Sequence, residues 1–520
     1  MTTLGLVIAA AALALGAAMW TRLPASVLGI VAGIALQGLA APVDGGLVRD
    51  GLVIAASFLV FIVGAEIERR PLRPYQPLAL GLAAVTVLVT AAVGALLWLV
   101  LALNAWTAIY WVVALSASST LLVFDLLRRR ELLFESTGRI ASAVALMQDL
   151  MVVLALALFA ALAPGNREPT WVVAGVVGLA LAGWLISRWV APFLMQRVQL
   201  DEEERLLFIL LVLFAFGAAA RWSGDALVTG AYFAGLAVSP FPVGDLARGY
   251  LKSFSDFFTT IFYVLLGLLV TLPEPNAVLT ELVFVTALLL VRPVILLPLV
   301  RQSGLTVRAS IEVLTLLAQA GELAVLVAIV GLELGHIVDA TFSAVVAVVA
   351  VTSAIAPWLS SEPVTWWLTR WYPFARKATL ETSPSGHILL LGCGETGATV
   401  LEGLQKLQVE LLVVDVDPAV VDWVAKRGVS VLRGDGADPA VLREANASQA
   451  KAIISAMHRP RDNARLLQHV QGPPVVVRTF SEQEAERIRE LGGQPVVEAE
   501  LAAAALIAWH GTARARGEGE

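Results

Sequence analysis

The stretch Ala145-Leu-Met-Gln148-Asp149-Leu-Met-Val-Val-Leu154 places one carboxylate inside a 24-residue apolar run, Ala141 to Pro164. That run is long enough to cross a bilayer, and Asp149 is its only acid. A charged side chain at the bilayer centre costs about 2.5–3.5 kcal/mol even on the lenient insertion scale, so it usually persists because a cation or proton uses it. Asp149 is therefore the first candidate for a functional residue.

The composition predicts a membrane protein with a soluble domain attached. Of 520 residues, 58% are hydrophobic and 15% are charged, and the mean hydropathy is +0.80; a water-soluble protein of this length would not reach these values. We expect a membrane domain at 1–361, a linker at 362–385, a soluble domain at 386–510 and a disordered tail at 511–520. The single cysteine excludes a disulfide framework, and the net charge of -6 gives no sign of a nucleic-acid partner.

Thirteen segments are long enough to cross the roughly 30 Å hydrocarbon core. They lie near 3–20, 25–41, 51–67, 77–101, 106–127, 140–163, 170–187, 206–220, 224–239, 253–271, 278–300, 309–331 and 338–360. Arg and Lys concentrate in the loops after the odd-numbered spans, and short cytoplasmic loops carry such an excess. The pattern predicts a multi-pass protein of the cell inner membrane, with its N-terminus outside and its C-terminal domain in the cytoplasm.

Two spans carry polar interruptions at mid-membrane depth. The fifth contains Ser116-Ala-Ser118-Ser119-Thr120, and the twelfth contains Gln319-Ala-Gly321-Glu322. Such runs break a helix and free hydroxyls and carbonyls that coordinate a cation; for the fifth span, packing through small polar residues is the alternative. If the seventh span is a linker, each break takes the fifth place in a set of six spans. The two sets then have opposite topology, as an inverted repeat requires.

Two further charges belong to these apolar segments. Arg292 precedes Pro293 and stays protonated, so it either ties to a broken helix or to Glu322, or pairs with Asp149. Glu322 is either that tie or a second titrating site. Burial penalises the charged form of Asp149, which has no counter-charge in the neighbouring sequence, so this carboxylate can trade a proton for a monovalent cation. Gln148 supplies an uncharged amide oxygen as a ligand.

A dinucleotide-binding pattern follows residue 386. The strand His387-Ile-Leu-Leu-Leu391 leads into a Gly-x-Gly-x-x-Gly turn and a helix, and Asp415 ends the next strand 18 residues after Gly397. This is the spacing of a Rossmann fold, in which the glycines admit phosphate and the acid accepts from ribose hydroxyls. The predicted contacts are Gly392, Gly394, Glu395, Thr396, Gly397, Asp415, Asp417, Gly434 and Asp435.

The predicted ligand is an adenine nucleotide, NAD(H) or AMP, ADP or ATP, with an empty or degenerate site as the alternative. The sequence contains no substrate domain, nucleophile–base pair or metal cluster after this motif. We therefore expect the nucleotide to regulate a transporter, and we do not expect redox catalysis by an enzyme.

These features together resemble Kef-type monovalent cation:proton antiporters with a C-terminal TrkA-N (RCK) domain. The matching stretches are Gly64-Ala-Glu66, Ser118-Ser119-Thr120, Gln148-Asp149, Gly230-Ala-Tyr-Phe-Ala-Gly235, Arg292 and Gln319-Ala-Gly321-Glu322. The resemblance implies a sodium/proton antiporter-like fold of about 13 helices with inverted repeats and crossed broken helices, followed by a cytoplasmic α/β Rossmann-type domain. It also implies a homodimer, elevator-like alternating access, and binding of cation and proton in turn by Asp149.

The resemblance favours K⁺/H⁺ exchange, electroneutral because a single intramembrane acid is paired with Gln. Na⁺/H⁺ exchange on the same fold is the alternative, and an RCK-gated K⁺ channel is a more distant one, disfavoured because the sequence has no Thr-Val-Gly-Tyr-Gly-like filter. The stretch Phe241 to Leu251 replaces the acidic regulatory loop of the Kef proteins, so the resemblance does not extend to glutathione gating. The candidate transport residues are Asp149, Gln148, Ser116, Ser118, Ser119, Thr120, Arg292, Gln319 and Glu322.

Overall fold

In a computed structural model, the chain forms a unit of apolar helices, which ends at Trp371, and a C-terminal α/β unit. The structure describes residues 2–21, 25–39, 45–65, 75–101, 103–130, 132–133, 135–163, 168–194, 202–224, 227–239, 257–270, 275–302, 305–371, 385–500 and 503. Glu66, the stretch from Phe241 to Leu251, most of the predicted linker and the predicted tail lie outside the described residues.

Each of the thirteen predicted spans contains a helix or a pair of helices. In chain order these are α1 Thr2–Thr21, α2 Ala25–Leu39, α3 Gly45–Ala65, α4 Gln76–Leu101, α5 Ala105–Ser116, α6 Thr120–Arg129, α7 Ser136–Leu162, α8 Pro169–Leu185, α9 Glu202–Ser223, α10 Leu227–Val238, α11 Phe257–Leu269, α12 Pro275–Thr286, α13 Val307–Leu316, α14 Glu322–Glu333 and α15 Asp339–Leu359. Two of them continue beyond these bounds: α8 runs through a π turn to Phe193, and α12 through a π turn at Ala287–Val291 into Arg292–Gln302. Eight spans among the described residues are long and apolar enough to cross a membrane.

Both predicted interruptions are confirmed as helix breaks, and the two breaks meet. Ala117 and Ser119 have extended backbone between α5 and α6, and Gly321 has extended backbone before α14. The amide of Gly321 donates to the carbonyl of Ala117 at 3.1 Å. A Cβ on Gly321 would lie 2.9 Å from the Ser118 backbone, so this close approach requires glycine.

The helices pack in two groups. The scaffold helices are α1–α3 and α9–α11, in which α3 packs on α10 and α1 on α2. The site helices are α4–α7 and α12–α15, in which α5 packs on α4 and α14, and α15 packs on α12 and α14. Helix α8 contacts α7 on one side and α9 and α10 on the other. The two broken spans therefore belong to one group, and α8 lies between the groups, where the sequence predicted a linker span.

A buried ion network joins the ends of α6 and α13 to a further short helix, α16 Glu362–Trp371, in the first ten residues of the predicted linker. Glu312 is fully buried, 3.0 Å from Arg130 and 3.4 Å from Arg308. Arg308 also lies 3.9 Å from Glu362 and stacks over the Trp366 ring at 4.5 Å. The predicted linker at 362–385 therefore begins with a helix, and the Trp366 side chain of this helix is buried.

The C-terminal unit is a six-stranded parallel sheet in the order β3-β2-β1-β4-β5-β6, with helices in the connections. The elements are β1 Ile388–Leu391, α17 Glu395–Lys406, β2 Leu411–Asp415, α18 Pro418–Ala425, β3 Ser430–Arg433, α19 Pro439–Glu444, β4 Ala452–Ser455, α20 Pro460–His469, β5 Val475–Thr479, α21 Glu482–Glu490 and β6 Gln494–Val497. Leu391 pairs with Val414 and with Ser455, so β1 is central. The predicted Rossmann-type fold is confirmed, and the chain reverses its strand order beside β1, where such sheets bind ligands.

Candidate functional site

Asp149 and Gln148 lie in the middle of α7, against the break between α5 and α6. The Thr120 hydroxyl donates to Asp149 Oδ2 at 2.6 Å, and the Ser118 amide donates to Gln148 Oε1 at 3.1 Å. All four residues are at most 4% exposed. Adjacent positions on α7 thus contact the two sides of one helix break, which brings together the residues that the sequence predicted from separate spans.

The orientation of the Gln148 amide is set by a hydrogen bond from its nitrogen to Thr86 on α4. Its Nε2 donates to Thr86 Oγ1 at 3.3 Å, and the Thr86 hydroxyl donates to the Leu82 carbonyl at 2.8 Å on the same helix. With the amide nitrogen held there, the oxygen faces the break at Ser118. Thr86 was missed by the sequence analysis, because an isolated Thr in an apolar helix gives no signal that distinguishes it from a packing residue.

Glu322, the first residue of α14, carries the second carboxylate of the site. Its Oε1 accepts from the Ser119 hydroxyl at 2.5 Å and from the Tyr263 hydroxyl of α11 at 3.2 Å. Two donors on one carboxylate oxygen, at the positive end of a half-helix, stabilise negative charge. Tyr263 was also missed by the sequence analysis, since one Tyr in an apolar span reads as a core aromatic.

Arg292 contacts the break and neither acid. It follows a π turn in α12, and Pro293 beside it supplies no backbone donor. Its Nη2 donates to Ser118 Oγ at 2.7 Å, while Nε and Nη1 are buried with no hydrogen-bond partner among the described residues. Within the same residues, no ion pair joins Arg292 to Asp149 or Glu322. Of the predicted alternatives, the structure therefore contains the tie to the broken helix.

Two predicted residues take positions around this centre. The Gln319 Nε2 lies 3.5 Å from the Ser119 carbonyl and 3.4 Å from the Leu316 carbonyl, and its Oε1 is buried without a partner among the described residues. Ser116 donates back to the Val112 carbonyl of its own helix at 2.5 Å. Gln319 thus offers a free acceptor near the break, whereas the Ser116 hydroxyl is occupied within α5.

A cavity between the scaffold helices and the site helices is lined by both carboxylates. Asp149 and Glu322 line one side, Tyr232 of α10 lines another, and apolar side chains complete the wall, namely Leu59, Val60, Val63, Leu121 and Leu323. The oxygen ligands that this lining offers are carboxylate and hydroxyl groups, which suit a hard cation. The described residues contain no group of three or more His, Cys, Asp or Glu side chains that would hold a metal ion.

The glycine motif of the soluble unit forms the expected turn between β1 and α17. Gly392 has φ +82°, which favours glycine, and a Cβ on Gly397 would overlap the Gly392 carbonyl oxygen. A Cβ on Gly394, the N-cap residue of α17, would meet no protein atom within 4 Å. Gly394 thus leaves open space at a helix N-terminus, where backbone N–H groups attract anions. Glu395 and Thr396 lie in the first turn of α17.

Asp415 lies beside this turn at the end of β2. Its Oδ2 accepts from the Cys393 amide at 2.5 Å and its Oδ1 from the Asp417 amide at 2.8 Å. Burial, with a contribution from Asp415, raises the pKa of the Cys393 thiol to about 11. Both carboxylate oxygens of Asp415 therefore already accept a hydrogen bond from a backbone amide. A ribose contact would use their remaining lone pairs.

The second predicted acid lies at the end of β3. Asp435 Oδ1 accepts from the Ala437 amide at 2.9 Å, and the Gly434 amide donates to the Asp415 carbonyl at 3.0 Å. The ends of β2 and β3 are thereby joined beside the glycine turn, and the predicted nucleotide contacts lie along one edge of the sheet.

Comparisons with known proteins assign both units. Residues 6–366 match the family described as sodium/hydrogen exchanger, transmembrane, and residues 388–499 match the TrkA-N domain. YbaL of Escherichia coli (strain K12), which bears the name of a cation/proton antiporter, is 26% identical over 509 residues, covering 90% of this chain and 88% of YbaL. The sodium proton antiporter MjNhaP1 from Methanocaldococcus jannaschii, solved at pH 8, has a TM-score of 0.53 at 14% identity and covers 71% of this chain and 96% of that one. At that identity, the structural likeness supports the fold.

Proposed function

Because the chain belongs to the sodium/hydrogen exchanger family and carries a TrkA-N domain after it, we propose that this cation/proton antiporter exchanges K⁺ for H⁺ at Asp149. The observation that carries the proposal is the buried Asp149 carboxylate, which lines the cavity and accepts one hydrogen bond, from Thr120. A carboxylate buried in this way holds either a proton or a cation, because leaving its charge uncompensated is costly. Occupancy by one then excludes the other, which is the condition for exchange.

The neighbouring oxygens complete the cation site. Gln148 Oε1 and Gln319 Oε1 are neutral acceptors on either side of the two breaks, and the Thr120 hydroxyl adds a third oxygen. Because these ligands are neutral, Asp149 is the one group among them whose charge changes when a proton replaces the cation. The choice of K⁺ rests on the resemblance to Kef-type proteins, and Na⁺ is the alternative that the same ligands admit.

The charges around Asp149 favour a one-for-one exchange without net charge movement. Glu322 is held by two hydroxyl donors, and Arg292 supplies a fixed positive charge against Ser118 in the same buried region. If these two charges stay constant through the cycle, Asp149 alone changes its proton occupancy. One proton then crosses for each monovalent cation.

The decisive experiment is Asp149→Asn in proteoliposomes. The amide keeps the shape but carries no exchangeable charge, so cation-driven proton movement should fall to the level of empty vesicles. A matched control is Asp125→Asn, because Asp125 is an exposed acid on α6 that pairs with Arg129 at 2.8 Å. Full exchange in Asp149→Asn would refute the assignment.

The preferred ion follows from the same assay in the unaltered protein. A pH-sensitive dye would report proton movement driven by K⁺, Na⁺ and Rb⁺ in turn. We expect K⁺ and Rb⁺ to drive exchange more strongly than Na⁺. The reverse order would establish the Na⁺ alternative and leave the role of Asp149 intact.

We further propose that an adenine nucleotide, NAD(H) or AMP, ADP or ATP, regulates exchange from the soluble domain. The open N-terminus of α17 suits a phosphate, and Asp415 lies where a ribose hydroxyl would donate. Equilibrium binding to the full chain tests this, with Asp415→Asn expected to weaken binding and Asp422→Ala on α18 as the exposed control. Equal affinity in the two variants would mean that the ribose contact is misassigned.

The arrangement in the membrane is part of the proposal. We expect a homodimer in the cell inner membrane, with the N-terminus outside and the TrkA-N domain in the cytoplasm, as the Arg and Lys distribution predicts. Protease added to inside-out vesicles should release the soluble domain, while right-side-out vesicles should protect it. Cleavage of the soluble domain in right-side-out vesicles would show that the proposed orientation is wrong.

A further inference from the structure

One hydrogen bond to a site carboxylate comes from the other group of helices. The Tyr263 hydroxyl on α11 donates to Glu322 Oε1 on α14 at 3.2 Å. Both residues are buried, with Tyr263 2% and Glu322 7% exposed. Because α11 is a scaffold helix and α14 a site helix, this bond crosses the boundary on which the cavity lies.

The placement of Tyr263 with the scaffold rests on contacts along the whole of α11. The Phe258 ring stacks on Phe58 of α3 at 4.2 Å, and Gln37 Nε2 of α2 donates to the Leu268 carbonyl at 3.3 Å. A Cβ on Gly29 of α2 would lie 3.0 Å from the Tyr263 Cβ itself. Tyr263 therefore packs with α2 and α3.

The placement of Glu322 with the site helices is equally local. It begins α14 directly after Gly321, whose amide bonds to Ala117 at the other break, and it accepts from Ser119. It thus follows the broken spans, together with Asp149 on α7.

An ion pair at the surface also joins a scaffold helix to a site helix, but it is of a different kind. Arg49 on α3 pairs with Asp339 on α15 at 2.7 Å, but both side chains are exposed, at 41% and 78%. Surface ion pairs contribute little to stability and are screened by salt. The buried Tyr263–Glu322 bond is screened less and ends on a carboxylate in the exchange cavity.

We propose that Tyr263 is a positioning residue for exchange, whose hydroxyl holds Glu322 against the scaffold in the state described here and must release it once in each exchange cycle. The inference rests on the proposed function, since exchange by alternating access, which the resemblance to Kef-type proteins implies, requires that the site helices move relative to the scaffold helices. The charged or titratable groups around Glu322 are then Asp149 across the cavity, Tyr263 itself and Arg292 through Ser118. The bond biases the balance between the two access states without touching the exchanged cation.

Loss of the Tyr263 hydroxyl should shift the populations of the two access states and should not abolish transport. A ligand's apparent affinity is reduced by the fraction of protein in the state that binds it. If Tyr263→Phe depopulates one state, the apparent affinity for the cation falls on the face open in that state and rises on the opposite face. The free energy of a hydrogen bond to a charged group corresponds to a change of roughly tenfold in the equilibrium between the two access states.

The test measures the apparent KM for K⁺ in inside-out and in right-side-out vesicles. Tyr263→Phe should move the two values in opposite directions and change their ratio by roughly tenfold. Tyr110→Phe is the matched control, since it also removes a buried tyrosine hydroxyl but one bonded to His336, 3.0 Å away on the turn after α14; its two KM values should stay as they were. Melting temperature in detergent confirms folding of both variants.

Glu322→Gln supplies a second measurement. In a Glu322→Gln background, adding Tyr263→Phe should change the two-sided KM ratio much less than it does alone, because the charged acceptor is already gone. Equal shifts on both faces, unchanged KM values, or full additivity of the two substitutions would each overturn the inference. Exchange that persists in Asp149→Asn would instead overturn the proposed function, so the two failures are distinct.

Discussion

The guanidinium of Arg292 and the hydroxyl of Ser118, 174 residues apart in sequence, are joined by a 2.7 Å hydrogen bond. Ser118 connects this contact to the second break, since its own hydroxyl donates to the Leu317 carbonyl at 2.8 Å. One buried cation thereby touches the first break directly and the second through a single side chain. Among the described residues, its hydrogen bond is to the Ser118 hydroxyl at the first break, and neither cavity carboxylate pairs with it.

Replacing Arg292 should separate stability from transport. A buried cation with two unpartnered nitrogens is unfavourable for folding, so Arg292→Met should leave stability unchanged or raise it by about 1–4 kcal/mol. A fixed positive charge in the same buried region repels a bound cation, because the protein interior screens like charges less than water does. Without the positive charge, the site should hold K⁺ more tightly and release it several-fold more slowly.

The measurements for Arg292 are the melting temperature in detergent and the KM and maximal rate in vesicles. Arg292→Lys keeps the charge and should preserve the KM, and Arg49→Met at the exposed outer pair is the surface control. A lower melting temperature together with an unchanged KM in Arg292→Met would show that Arg292 serves folding alone.

The glycine turn offers a substitution that separates ligand binding from folding. Gly394→Ala adds a methyl group where no protein atom lies within 4 Å and where φ is -65°, so the domain should fold normally. The methyl group would occupy the space at the helix N-terminus, and nucleotide affinity should fall by about tenfold or more. Gly397→Ala, which overlaps the Gly392 carbonyl, should instead lower stability. Calorimetric titration with NAD(H) and ADP, beside thermal melting, distinguishes the two, and unchanged affinity in Gly394→Ala would place the ligand elsewhere.

The ion network at the ends of α6 and α13 should be costly to break at its centre. Glu312 is fully buried against two arginines, so Glu312→Gln leaves Arg130 and Arg308 without their shared counter-charge and should destabilise the protein by about 3–5 kcal/mol. Asp125→Asn removes an exposed acid from the same helix end and should change stability by less than about 1 kcal/mol. Thermal unfolding in detergent compares the two, and equal effects would mean that the network carries little energy.

The soluble domain should lose stability in acid through His387. Burial lowers the pKa of this fully buried imidazole, with Glu410 acting in the opposite direction. The unfolded state then binds the proton more readily, so stability present above about pH 6.5 is lost as the pH falls below that value toward the lowered pKa. Deuterium uptake at β1 in the full chain, corrected for intrinsic exchange, should rise between about pH 7 and about pH 5. His387→Gln should flatten that rise, while the exposed His469→Gln should leave it as it is.

The sequence predicted the helix breaks because their composition is locally unusual. Four hydroxyls in five residues and a Gln-Ala-Gly-Glu run stand out within apolar spans, and both became extended backbone. The Gly-x-Gly-x-x-Gly turn with Asp415 behind it was predictable for the same reason. In each case, the local sequence by itself indicates the conformation.

The partners of these residues could not be predicted, because they come from distant helices. Tyr263 reaches Glu322 from 59 residues away and Thr86 reaches Gln148 from 62, and both are ordinary residues in apolar spans. Arg130 and Arg308 were assigned to loops by the charge rule, yet they are nearly buried around Glu312. A signal was present there, since Arg308 and Glu312 are spaced by one helical turn.

The network of Arg130, Arg308, Glu312 and Glu362 has a formal charge of zero. Its members compensate one another at contact distance, so dissolved salt has little left to screen at this end of α6 and α13. The ionic strength of the surrounding solution should therefore have little effect on the stability of this end of the membrane domain.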